Sequence, residues 1–196
     1  MNLLCIDIGN TSTSFSTVEN NAIGDIHRII SDDESIEFIK RYDFSSIDEV
    51  IICSVVPLKT KIIQENLKSM NINPLTISYN NCCVDLKVDH PSEVGADRLC
   101  NIAGVKSQGK YPAIIIDFGT ATTYDAIDKE GKFIGGAIAP GIDVSANYLI
   151  NRTALLKEVV YQFPNSVIGK NTTTNIQSGV MIGGLKSVEG MIDSIS

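Results

Sequence analysis

An apolar run over residues 3–8, carrying Asp7 near its end, stops at Gly9, and the polar Asn10, Thr11 and Ser12 then predict a tight turn. An extended stretch to Val18 predicts a second strand, and Asn20-Asn21 a turn into a third over residues 23–30. Ser31 with Glu34 matches a capping box, which predicts a helix reaching about Tyr42. A strand over residues 50–56, a helix over 58–70 and a strand over 75–79 complete the order βββαβαβ. After a polar loop, Pro91-Ser92 opens a helix that reaches about Gln108, with Gly109 as its stop.

The plan then recurs. A second apolar run over residues 113–117 ends in Asp117, Phe118, Gly119 and Thr120, and Asp7, Gly9 and Thr13 correspond to Asp117, Gly119 and Thr123 at one offset of 110 residues. A turn over 128–132 leads to a strand over 133–138, and a helix follows Pro140-Gly141 to about Leu156. Beyond Asn171 the spacing of Ile176, Val180, Ile182, Leu185, Val188 and Ile192 predicts a long helix interrupted at Gly183-Gly184. The expected halves are 1–110, with the first turn and the Pro91 helix, and 111–196. The second half has its meander and helices but not its later strands, so the expectation is that the fold is incomplete at Ser196.

Composition narrows the function. A net charge of -7 and a pI near 4.8 repel polyphosphate at long range, which argues against broad nucleic-acid binding. No apolar window approaches the roughly 20 residues of a membrane span, and no basic leader precedes the first strand, so a cytoplasmic protein is expected. The five cysteines, Cys5, Cys53, Cys82, Cys83 and Cys100, lack zinc-ligand spacing; Cys5 and Cys53 read as small core residues, and none reads as catalytic.

A D-x-G-x-T turn after a strand suits phosphate chemistry. Gly9 lets the backbone approach an anion, successive amides form a nest, and Asp7 at the strand end can hold a magnesium ion or its waters. Two such nests facing one another across a cleft would clamp a nucleoside triphosphate. The Walker sequence is absent, and these Gly-containing turns lead into strands rather than helices, which excludes the P-loop and Rossmann patterns. On the Pro91 helix, Glu93-Val94-Gly95-Ala96-Asp97-Arg98 places an adjacent acid and base that cannot form an i, i+4 pair.

The elements D-I-G-N-T (7–11), G-A-D-R (95–98), D-F-G-T-A-T-T (117–123), G-G-A-I-A-P-G (135–141) and I-G-K-N-T (168–172) resemble, in order and spacing, the type III pantothenate kinases of the acetate and sugar kinase/actin-like superfamily. The resemblance implies an α/β, duplicated ribonuclease H-like (actin-like ATPase) fold with two βββαβαβ-type halves. It further implies that Asp7, Ile8, Gly9, Asn10, Thr11, Ser12, Thr13 and Ser14 form a first ATP phosphate loop, and that Thr120 contacts ATP from a second. Asp117 would hold potassium or ammonium, and magnesium would accompany the nucleotide. Gly95, Ala96, Asp97 and Arg98 would line the pantothenate site, with Asp97 as catalytic base and Thr172 as a further substrate contact. The expected reaction is ATP-dependent phosphorylation of pantothenate, the first step of coenzyme A biosynthesis, by a homodimer that needs neither nucleic acid nor membrane. Where the family commonly carries a tyrosine, seven residues before G-A-D-R, this chain has Val88. The alternatives are a transcription accessory protein of the same family and a nucleotide-binding module without kinase activity.

Overall fold

The computed structural model describes residues 1–153, 156 and 159–196. It divides into two compact units: residues 1–111 with 131–133, and residues 112–130 with 134–196.

In the first unit, β1 (Asn2–Ile8) pairs antiparallel with β2 (Thr13–Glu19) and parallel with β5 (Glu49–Ser54), which pairs in turn with β6 (Leu75–Thr76). The alternation of β1 divides its side chains between two differently covered faces. Leu4, Ile6 and Ile8 point to one face, where with Val50 and Ile52 they pack against Ile39 of α1 (Asp32–Arg41) and Ile63 and Leu67 of α2 (Pro57–Ser69). Cys5, Asp7, Ile51 and Cys53 point to the other, because residues paired across strands share a face. That face meets α3 (Ala96–Ser107), whose Leu99 and Ile102 are wholly buried.

Local signals behave as the sequence predicts at several ends. The Ser31 hydroxyl accepts from Glu34 N at 3.4 Å, the forward half of the expected capping box, and opens α1, and Gly109 takes φ +63° just past α3. Asn20 and Asn21 both adopt positive φ at the hairpin. The third strand, expected as one piece over 23–30, is split into β3 (Ala22–Ile23) and β4 (His27–Ile29), both paired to β2. The strand expected over 75–79 shortens to two residues at the sheet edge. The helix expected from Pro91 is likewise broken: a 3₁₀ turn over Pro91–Glu93 precedes α3, and Gly95, extended at ψ 146°, is the N-cap. Asp97 therefore lies in the first turn of a helix rather than within one.

The second unit carries a three-stranded sheet in the order β7 (Ala113–Phe118), β8 (Ala121–Ile127), β9 (Phe133–Pro140), followed by α4 (Ile142–Asn151). The helix expected to reach Leu156 ends at Asn151; positions 154 and 155 of that extension lie outside the described residues. The 110-residue offset holds on β7 and slips on β8. Asp7 faces Ser14, whereas Asp117 faces Thr123, one residue earlier than the repeat requires. The slip changes which side chains are covered: β2 buries Thr13 and Phe15 on one face, whereas β8 buries Thr122 and Tyr124 on one face and Asp125 and Ile127 on the other. Finally α5 (Thr172–Gln177), a π-helical turn (Ser178–Ile182) and α6 (Gly183–Ile195) run on without a break. The irregularity sits before Gly183-Gly184, not at it, and Gly183 keeps helical dihedrals. Among the described residues no helix is long and apolar enough to cross a membrane.

Candidate active site

The first turn closes through Gly9 N donating to Ser12 O at 3.0 Å, so the chain reverses within four residues and β2 starts at Thr13. Asp7 is exposed near the end of β1, and Ser12 and Thr13 are buried. Arg28 of β4 donates from Nε to the Ser12 hydroxyl at 2.8 Å, an exposed cation tied to the turn. The sequence reading passed over Arg28. Its signal was weak, because it is the long-range pairing of β4 with β2, Thr13 with Ile29 and Ser14 with Arg28, that brings Arg28 alongside the turn.

The G-A-D-R element reaches the same end of the sheet. Val55 follows β5 and donates to Ile8 O at 3.1 Å, and a methyl group on Gly95 would lie 3.6 Å from Val55 Cγ1. The start of α3 thus sits at the carboxyl ends of the parallel strands β1 and β5, where ligands of open α/β sheets bind. Asp97 is half-buried, and its Oδ1 accepts from Arg98 N at 2.7 Å, which fixes the carboxylate at the helix entrance. The same methyl on Gly95 would lie only 2.6 Å from Asp97 Oδ1, so the missing side chain makes room for the carboxylate. The Arg98 guanidinium stacks over the Phe133 ring, 5.4 Å from its centroid.

Beneath these residues lie three thiols. Cys53, opposite Asp7 on β5, is hydrogen-bonded to Cys100 of α3, which, with burial and the nearby Asp7 carboxylate, pushes its pKa far up. The same hydrogen bond lowers Cys100, against burial and the charges of Asp7 and Asp97. Burial, then Cys100, raises Cys5. All three are half-buried, so the expectation that Cys5 and Cys53 are plain core residues misses their shared environment.

In the second unit the turn is tighter: Gly119 N donates to Ala121 O at 2.9 Å. Thr120 is exposed at its tip, and Asp117 is half-buried on β7. Gly141, at the N-cap of α4, donates to Thr120 O at 3.0 Å, and a methyl group there would overlap the carbonyl oxygen of Gly119. The I-G-K-N-T element builds the start of α5. Asn171 Oδ1 accepts from Thr174 N at 2.9 Å, and Thr174 Oγ1 accepts from Asn171 N at 3.2 Å, so Thr172 is the first residue of the helix. Thr172 borders a cavity of about 830 Å³ within this unit, walled by Tyr124, Ile142, Leu149 and Ile176 with Thr122 and Asn175 as polar groups. That volume is in the range of small-molecule sites.

Asp7 and Asp117 each offer one carboxylate, and among the described residues no group of three or more His, Cys, Asp or Glu side chains could hold a metal ion.

The mixed α/β fold is one the chain shares with solved structures. It aligns with a structure described as a conserved putative Baf family transcriptional activator from Campylobacter jejuni, with TM-score 0.64 and 18% identity, over 96% of this chain and 78% of the other. It also aligns with an Aquifex aeolicus Ppx/GppA phosphatase at TM-score 0.50 and 13% identity, over 76% and 55%. At such identities the likeness is one of fold alone. A family model for type III pantothenate kinase matches residues 3–194. A type III pantothenate kinase from Sulfurihydrogenibium sp. (strain YO3AOP1) is 38% identical over 98% of this chain and 82% of its own length. One from Moorella thermoacetica is 36% identical over 97% and 80%. The chain belongs to the type III pantothenate kinase family.

Proposed function

We propose that this chain transfers the γ-phosphoryl group of ATP to the primary hydroxyl of pantothenate, giving 4'-phosphopantothenate, the first step of coenzyme A biosynthesis. Family membership supplies the reaction. The single observation that supports the site assignment is the position of Asp97, held by the Arg98 amide at the sheet end that also carries the Asp7–Ser14 turn. In this reading Asp97 accepts the hydroxyl proton as the oxygen attacks phosphorus, and Gly95, Ala96, Arg98 and Thr172 orient pantothenate.

Backbone amides of the Gly9–Ser12 turn and the Thr120 turn hold the phosphates, with Asp7 holding magnesium and Asp117 potassium or ammonium. These cations neutralise charge on the phosphates. Little covalent chemistry falls to the protein, since positioning and charge stabilisation dominate such transfers. We further infer the duplicated ribonuclease H-like plan of actin-like ATPases, a homodimer as the working assembly, and a cytoplasmic setting. The regulatory alternative draws only on a fold-level likeness at 18% identity.

The test is Asp97→Asn. It keeps the size and the Arg98 contact but removes the proton acceptor, so turnover with pantothenate should fall by at least ~10²-fold while the melting temperature holds. Wild-type turnover in the folded variant would remove Asp97 from the role of base.

A further inference from the structure

The geometry points to the Cys53–Cys100 pair as a site of reversible oxidation, in which a hydroperoxide converts two hydrogen-bonded thiols into a disulfide that ties α3 to β5. The two sulfurs come from different elements, 47 residues apart in sequence, and meet on the one face of the sheet that α3 covers. Both side chains are half-buried, which leaves a small oxidant access. Among the described residues no group of three or more potential ligands here could hold a metal, so the cluster is a thiol site and not a metal centre.

The chemistry balances within the pair and one peroxide. The sulfur of one cysteine attacks a peroxide oxygen, the O–O bond breaks, and water leaves a sulfenic acid. The second sulfur displaces that hydroxyl as a further water and forms the S–S bond. Two electrons pass from the two thiols to hydrogen peroxide, which becomes two molecules of water.

The pair's position gives the modification a consequence, which rests on the kinase reading above. Cys100 lies one helical turn after Asp97, and Cys53 lies opposite Asp7. A disulfide draws the sulfurs to about 2.05 Å, closer than hydrogen-bonded thiols approach, so α3 must settle toward β5. A displacement of about 1 Å at a reacting group can cost ~10²-fold. Oxidation is therefore expected to lower turnover at least ~10-fold, and dithiothreitol to restore it.

The experiment treats the reduced full-length protein with stoichiometric hydrogen peroxide, then alkylates, digests and maps the cysteines by mass, with ATP turnover measured in parallel. The expected result is a Cys53–Cys100 cross-link, with Cys5, Cys82 and Cys83 still alkylated. Cys53→Ser should keep basal turnover and lose the dithiothreitol-reversible inactivation. Five free thiols after treatment, a cross-link through Cys5, Cys82 or Cys83 instead, or unchanged reversible inactivation in Cys53→Ser would each overturn the assignment. A Cys53–Cys100 cross-link that leaves turnover unchanged would overturn its effect on α3. Absence of pantothenate-dependent turnover in the reduced protein would instead count against the kinase reading, since the cross-link is read without it.

Discussion

Replacing Gly141 by alanine tests whether the start of α4 braces the second phosphate turn. The glycine's backbone dihedrals, φ -60° and ψ 153°, suit any residue, so no intrinsic strain enters. The cost is contact. The new methyl would overlap Gly119 O, sit 2.8 Å from Thr120 O and 3.1 Å from Thr120 C, all backbone atoms that cannot rotate away. With ordinary contacts near ~3.5 Å, either the turn or the helix start must move by roughly 1 Å. Overpacking of this kind costs about 1–3 kcal/mol, and loss of the Gly141 N to Thr120 O hydrogen bond about 1 kcal/mol more. For a chain of 196 residues each kcal/mol lowers Tm by roughly 2–4 °C, so a fall on the order of 5–15 °C is expected. Because the displaced atoms belong to Gly119 and Thr120, the KM for ATP should rise as well. The paired control is Gly104→Ala in α3, where a methyl meets nothing within 4 Å and should stabilise by about 0.5–1 kcal/mol. Thermal unfolding by circular dichroism and ATP titrations measure both. A Gly141→Ala protein that melts within a degree of wild type, with the same KM for ATP, would refute the bracing role.

Three further outcomes follow from the geometry. Gly95→Ala places a methyl against the Asp97 carboxylate, a side-chain group that can give way at the cost of its Arg98 hydrogen bond, rather than against backbone, so kcat should fall at least ~10-fold with little change in Tm; a large Tm loss at normal kcat would contradict the positioning role. Arg28→Ala removes the hydrogen bond to Ser12 and should raise the KM for ATP about 2–10-fold, measured by steady-state kinetics, while an unchanged value would leave Arg28 without a part in the turn. With Asp117 assigned to a monovalent ion, turnover in potassium or ammonium buffer should exceed that in sodium, and equal rates would contradict the assignment.

Local chemistry was legible in the sequence where one or two residues decide the outcome. Ser31 with Glu34 marks a helix start because a hydroxyl three residues before an amide can cap it, and Gly109 marks an end because few other residues accept φ +63°. The break at Gly95 was not legible. Val94 and Gly95 lie within the span that Pro91-Ser92 opens as a helix, and the extended backbone of Gly95 appears only in the folded chain. The repeat at 110 residues was visible as residue types, but its one-residue slip on β8 depends on how tightly the second turn closes, which like-for-like matching of Thr13 with Thr123 conceals. Asp97 was found by resemblance; its hold by the Arg98 amide and the thiols beneath it are long-range results of sheet pairing and helix packing.

The π-helical turn over Ser178–Ile182 carries a consequence for how this helix came about and how it could be edited. A π-turn is an α-helix with one surplus residue, absorbed locally as a bulge that leaves the flanking turns intact. Without it, α6 would be rotated by about 100° relative to α5, a single residue's turn of helix. Val188 and Gly184, which border the cavity, would then swing away from Ile176. A deletion of Val180 should heal the bulge into a plain α-helix and empty that wall of the cavity. The phasing of the cavity's side chains is thus set by one inserted residue in a backbone hydrogen-bond ladder.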